Sequence, residues 1–256
     1  MISLDKALRL FLAFCKTEYG IKLYDYEVEV ARALLSSVLI EPKDVYVKMA
    51  RQSGKTETLT LVLRFLIVFQ RLINGKPLLA GIASPKGEQA KTDVDRIKKS
   101  MQKLRERWDV EDREFNAVTV RAYRHDQLAA EIFRFSLSPT TSNESKTLNV
   151  LIVEEAHNAA DEKRSNELDP MLASTGGVTW MFGVGCVQTC DFKAGCDGDL
   201  PDSVSLSFDA NRVIADRRKL FEKDKDETHL AYEEAFNREV RKKGDQNPEL
   251  RRNCFI

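Results

Sequence analysis

Apolar residues recur at helical spacing over residues 4–14 and again over 28–39, so the chain opens on two amphipathic helices. Glu41-Pro42-Lys43-Asp44 is a turn, and residues 44–48 follow as a short strand. A long apolar helix comes next, carrying Leu59, Val62, Leu63, Leu66 and Phe69, and it stops at Asn74-Gly75-Lys76-Pro77. Residues 78–83 form a second strand, which runs through Ser84-Pro85 into a charged helix from 88 to 108. Residues 118–123 and 132–137 alternate as half-buried strands, and the polar loop 138–146 leads to an almost wholly apolar strand at 148–153. Another apolar strand, 178–184, follows Gly176-Gly177. Strands alternating with helices, several of them apolar on both faces, predict an α/β fold: a mainly parallel sheet flanked by helices. Beyond Asp199 charge rises and apolar runs thin out, with helices over 211–223 and 230–243. The expected division is a core of residues 1–199 and a small helical lid subdomain of residues 200–256.

Composition narrows this picture without redirecting it. Forty basic and forty acidic residues cancel, so no global field draws in nucleic acid, and a DNA-handling role would need a local basic surface or a ring of copies. The helix with Lys86, Lys91, Arg96, Lys98, Lys99, Lys103, Arg105 and Arg107 could supply such a surface. It also carries Glu88, Asp93, Asp95 and Glu106, the mix of an ordinary solvated face. The longest apolar run, 59–69, is interrupted by Arg64 and too short to span a bilayer, and the first six residues lack a signal-peptide shape. Five cysteines give no disulfide framework and fit a reducing compartment. Cys186, Cys190 and Cys196 cluster, but without the paired short-knuckle spacing of structural zinc, and they read as small buried thiols.

Chemistry enters between the first strand and its helix. Met49-Ala50-Arg51-Gln52-Ser53-Gly54-Lys55-Thr56-Glu57 places a turn at a helix start, where free N–H groups and the positive dipole end bind anions. Gly54 lets backbone approach a phosphate, Lys55 adds a mobile cation, and the Thr56 hydroxyl can ligate Mg²⁺. Met49 stands where the full phosphate-loop pattern has its leading glycine. The complementary half is Val153-Glu154-Glu155-Ala156-His157, where the apolar strand ends in two carboxylates. Ligands of open parallel sheets bind beyond the carboxyl ends of the strands, where both motifs emerge. Adjacent side chains on a strand point apart, so Glu154 is assigned to the Mg²⁺ shell through water and Glu155 to polarising the attacking water.

These residues resemble the ATPase domain of the large terminase subunit, the motor that packages viral DNA in tailed bacteriophages. The likeness rests on Arg51-Gln52-Ser53-Gly54-Lys55-Thr56 as a variant Walker A loop and on Ser84-Pro85-Lys86-Gly87-Glu88-Gln89-Ala90 after the next strand. It rests also on Val153-Glu154-Glu155-Ala156 as a Walker B strand end, and on the closing stretch 244–253. The resemblance implies a P-loop NTPase (ASCE, RecA-like) fold, with ATP and Mg²⁺ bound. Gln52, Ser53, Gly54, Lys55 and Thr56 would hold the nucleotide, Glu155 would be the catalytic carboxylate, and Arg51 would sense the γ-phosphate in cis. Tyr26-Glu27 falls where the family has an aromatic-Gln pair that reads adenine; Tyr24 or Tyr26 would stack on the base, or else simply pack. Cys186 and Thr189, within 185–189, fall where the family couples hydrolysis to motion. No arginine lies in 142–147, which leaves Lys146 as the trans-acting group of a ring, with Arg121, Arg124 and Arg134 as unranked alternatives.

Double-stranded DNA, a portal protein, a small terminase subunit and further copies in a homo-oligomeric ring are the implied partners, in the host cytoplasm and with no membrane. The family continues into a nuclease domain, expected only in a longer chain. Two other functions fit the same residues: a helicase-like nucleic-acid-dependent ATPase, and a non-hydrolysing nucleotide-binding scaffold.

Overall fold

The structure is a computed structural model that describes residues 2–85, 87–115, 119–186, 189–244 and 247–254. Lys86, Val118, Val187, Gln188, Asp245 and Gln246, named above, lie outside the described residues. The chain begins with α1 (Leu4–Tyr19), capped by the Ser3 hydroxyl and closed by Gly20 at φ 68°, and α2 (Asp25–Leu39). Strand β1 (Asp44–Met49) feeds α3 (Lys55–Asn74), and β2 (Leu78–Ser84) feeds α4 (Gly87–Trp108). Then come β3 (Glu111–Phe115), β4 (Thr119–Arg124), β5 (Gln127–Ser136) and β6 (Val150–Val153). A single turn α5 (Asp161–Lys163), β7 (Val178–Gly183), α6 (Asp191–Asp197) and β8 (Ser203–Phe208) follow. The chain closes on α7 (Ala210–Asp224), α8 (Ala231–Lys243) and α9 (Pro248–Cys254).

Eight strands form one sheet in the order β3-β4-β5-β2-β6-β7-β1-β8. From β5 to β8 every pairing is parallel; β3–β4 and β4–β5 are antiparallel. All four residues of β6 and all six of β7 are buried, as expected of strands covered on both faces. On one face α1–α4 pack through Phe11, Phe14, Phe65, Phe69 and Trp108, whose rings meet edge-on or tilted. Trp180 of β7 is fully buried there and donates to the Ser37 hydroxyl at 2.8 Å. The other face is a smaller cluster around Phe133, Leu151, Val153, Met181 and Phe192.

Two placements differ from the sequence expectation. Residues 203–208, assigned above to the helical subdomain, pair in register with β1 along Asp44–Met49 and belong to the sheet. Only α7, α8 and α9 remain beyond it. The strict Ser-Val-Ser-Leu-Ser-Phe alternation of β8 is that of an edge strand with one wet face. The charged segment Glu111-Asp112-Arg113-Glu114-Phe115 is a strand as well, at the opposite edge.

Candidate active site

The strand that delivers Lys55 and the strand that ends in Glu154 and Glu155 are separated by β7 alone. Both run parallel to β7, and Tyr46, Met181 and Val153 are level across the three. Two inter-strand steps amount to roughly 10 Å, so the two motifs leave the same sheet edge about that far apart. Burial pulls the Lys55 ammonium below the ordinary lysine value, and the carboxylate that opposes this most is Glu155, followed by Glu154. The ammonium donates to the carbonyls of its own loop, Met49 at 3.2 Å and Ala50 at 3.3 Å.

The loop itself is tightly held from behind. Met49, Ala50 and Ser53 are fully buried, while Arg51 and Gln52 are exposed. Ala50 N–H donates to the Phe208 carbonyl of β8, and the Ser53 hydroxyl donates to Ala50 O at 2.6 Å. Gln52 at φ 59° and Gly54 at φ 98° are left-handed on either side of Ser53, a backbone alternation that turns successive N–H groups into one concavity. A Cβ on Gly54 would also overlap Glu27 Oε1, so this position excludes a side chain twice over. Thr56 sits half-buried in the first turn of α3.

Across from the loop, Glu154 is buried and its N–H continues the ladder to Ala83 O. Glu155 leaves the strand in the left-handed region, φ 53° and ψ 38°, an unfavourable backbone for a residue with a Cβ. His157 lies beside it, Nε2 3.5 Å from Glu155 Oε2. The Val184 N–H donates to His157 Nδ1 at 3.3 Å, and His157 Nε2 also lies 2.9 Å from Asn158 Nδ2. Sequence reading passed over His157; its position three residues after Glu154, on the same turn, was the available signal.

Tyr26 and Glu27 occupy other roles than base recognition. Tyr26 is fully buried, stacked on Tyr24 at 5.6 Å, and its hydroxyl donates to Ser53 O at 2.7 Å, so it has no face open to adenine. Glu27 is buried, accepts from Tyr24 N–H at 3.1 Å and lies under Gly54. Burial pushes its carboxyl up to about 7, against the Tyr24 hydrogen bond and the Arg217 charge. Tyr24 is covered on its other side by the Arg217 guanidinium, 4.8 Å from its centroid. Arg217, on α7, is the second residue that sequence reading missed.

The remaining assignments are peripheral to this pair. Arg51 and Gln52 line a cleft of about 370 Å³ between the loop and the helices α8 and α9, with Tyr232 and Phe236 opposite. Cys186 Sγ donates to His157 O at 3.7 Å and lies 3.3 Å from Cys190 Sγ. Burial pushes the Cys190 thiol up to about 11 and Cys196 to about 12, which keeps both protonated. No group of three metal-ligating side chains exists among the described residues. Thr189 is exposed. Lys146 is paired with Glu144 of its own loop at 3.1 Å. Among its alternatives, Arg121 is paired with Glu131, Arg124 stands at the hairpin turn away from the site, and Arg134 is level with Ile82. On α4, Ala90, Val94, Ile97, Met101 and Leu104 are buried; Lys91, Arg96, Lys99 and Arg105 are exposed, Lys103 packs over the Tyr19 ring and Arg107 is paired to Glu18 at 3.2 Å. No helix among the described residues is long and apolar enough to cross a membrane.

This fold is similar to that of solved large-terminase ATPase domains. The ATPase domain of the Thermus phage P74-26 large terminase superposes with a TM-score of 0.68 at 16% identity, over 94% of this chain and 95% of that one. The large terminase of bacteriophage HK97 gives 0.59 at 15% identity, over 82% of this chain and 44% of the other. A large terminase from a thermophilic bacteriophage, in complex with ADP, gives 0.58 at 13%, over 82% of this chain and 52% of that one. No protein-family model and no curated protein matches the sequence.

Proposed function

We propose, from the shared large-terminase ATPase fold and the facing of Lys55 and Glu155, that this chain hydrolyses ATP to move double-stranded viral DNA into a preformed capsid. The observation that carries the reading is that β1 and β6, separated by β7 alone and running parallel, release the Lys55 loop and the Glu154-Glu155 pair at the same sheet edge. The α3 N-terminus receives the β- and γ-phosphates, and Lys55 exchanges its bonds to Met49 and Ala50 for phosphate oxygens. The donor set suits Mg²⁺: a hydroxyl at Thr56 and a buried carboxylate at Glu154, a small oxygen complement of the kind that ion uses beside phosphates. Thr56 and Glu154 would hold the ion, which would supply charge neutralisation at the phosphoryl group.

Glu155, with the His157 ring 3.5 Å from its carboxylate, orients a water in line with the γ-phosphorus. The new bond forms from that water's oxygen as the γ-phosphorus separates from the β–γ bridging oxygen, and its proton leaves toward Glu155 and solvent. Arg51, exposed at the loop's rim, reaches the γ-phosphate from the same chain. In a homo-oligomeric ring, with a portal protein and a small terminase subunit as partners, movement of α7 and α8 against the core would displace DNA. Phosphate release by the purified chain tests this: wild type turns over ATP and Glu155→Gln does not. Equal release by both would leave a nucleotide-binding scaffold, and strand displacement would point to a helicase.

A further inference from the structure

One guanidinium joins the last helices of the chain to the phosphate loop. Arg217 of α7 lies between the rings of Tyr24 and Tyr232, 4.8 and 4.7 Å from their centroids. Its Nε donates to the Tyr26 hydroxyl at 3.2 Å, and that hydroxyl donates onward to the Ser53 carbonyl at 2.7 Å. A second nitrogen of the same fork reaches the Gln52 carbonyl at 3.5 Å. Carbonyl and following N–H point in opposite directions across a trans peptide, and the described chain has no cis bonds. Holding the Gln52 carbonyl from behind therefore aims the Ser53 N–H forward, and holding the Ser53 carbonyl aims the Gly54 N–H forward. These are the two amides of the concavity flanked by left-handed Gln52 and Gly54.

We infer that Arg217 is a positioning residue that sets the anion-binding amides of the phosphate loop through Tyr26, and thereby links the placement of α7 and α8 to polyphosphate binding. The inference rests on the nucleotide-binding reading of this loop. Arg217 spans both partners because its fork offers several donors in one plane, and both flanking rings hold that plane in place. Linkage is reciprocal: if α7 in its present position aligns the amides, an anion on the amides must favour that position of α7. Tyr24 is held in turn by His229 Nδ1 at 2.8 Å, and His229 by Asp224, so α7 and the turn before α8 close on the same point.

Inorganic tripolyphosphate tests the loop without the base or sugar. Tyr26→Phe keeps the buried ring and removes only the relay, and it is expected to weaken tripolyphosphate binding about tenfold, the effect of about 1.4 kcal/mol. Arg217→Ala, which also gives up the Gln52 carbonyl, is expected to weaken it at least as much, and the double variant by less than the two singles summed, because the Tyr26 hydroxyl is common to both. Arg217→Lys keeps a cation between the tyrosines and so keeps the thermal midpoint, but a single ammonium does not replace the fork and affinity still falls. In wild type, tripolyphosphate slows amide exchange over residues 210–243; in Tyr26→Phe that protection is lost while the melting transition remains. Wild-type affinity in Tyr26→Phe and Arg217→Lys, with exchange protection retained, overturns the inference and leaves the nucleotide site standing. Absence of both tripolyphosphate and ATP binding in wild type overturns the nucleotide site, and the inference with it.

Discussion

Replacing Glu27 with Gln isolates the cost of a carboxylate beneath the phosphate loop. Its carboxyl is pushed up from 4.5 to about 7, chiefly by burial. An acid whose pKa is higher in the folded chain binds its proton more tightly there, so folding is favoured by low pH and stability is lost as pH rises. The loss begins near the unfolded value of 4.5 and is complete once pH has passed the folded value of about 7. A tenfold change in proton affinity corresponds to about 1.4 kcal/mol, so wild type forgoes about 3 kcal/mol that an uncharged side chain would retain. Glutamine has nearly the same shape, can still accept from the Tyr24 N–H, and carries no charge. Urea unfolding from about pH 5 to about pH 8 should show the Glu27→Gln advantage growing by about 1.4 kcal/mol for each tenfold fall in proton concentration, then levelling off above about pH 7. A constant difference between the two proteins over that range would mean that folding does not raise the proton affinity of Glu27.

Three further outcomes follow from single contacts. Gly54→Ala forces a Cβ at φ 98° against Glu27 and is expected to destabilise by about 1–3 kcal/mol in thermal unfolding; adding Glu27→Ala should recover the steric part alone. His157→Ala frees the Glu155 carboxylate without touching the phosphate loop, so kcat for ATP should fall about ten- to hundredfold with KM nearly unchanged. Trp180→Phe loses the bond to Ser37 and leaves a void in the α-helical face of the sheet, costing about 2–3 kcal/mol in denaturant unfolding while turnover per folded molecule persists.

What the sequence made legible is what is contiguous. A strand, a turn ending Gly-Lys-Thr and an apolar helix are local statements, and α3 begins at Lys55 and is closed by Gly75 where the pattern places it. The apolar runs at β6 and β7 are equally local, because burial on both faces removes the polar alternation that would confuse them. Legibility stops where a role depends on distant chain. Tyr26 reads as an aromatic at a helix start, and only Ser53, Arg217 and Phe208 packed around it make it a buried strut of the loop. Glu27 likewise becomes a buried acid only because Gly54 folds over it. The edge strands were obscured for opposite reasons: β3 is nearly all charge, and β8 sits among helical segments although its alternation is regular. Arg217 meets Tyr26 across 191 positions, a distance over which no spacing rule operates.

The proposed function requires Lys55 and Glu155 to flank one polyphosphate site from opposite sides, the cation for binding and the carboxylate for turnover. Equilibrium binding of ATP with Mg²⁺ to wild type, Lys55→Ala and Glu155→Gln measures this directly. Glu155→Gln should bind at least as tightly as wild type, since it removes a negative charge near the phosphates, and Lys55→Ala should lose binding by about a hundredfold or more. Equal affinity in Lys55→Ala and wild type, or loss of binding in Glu155→Gln, would contradict it.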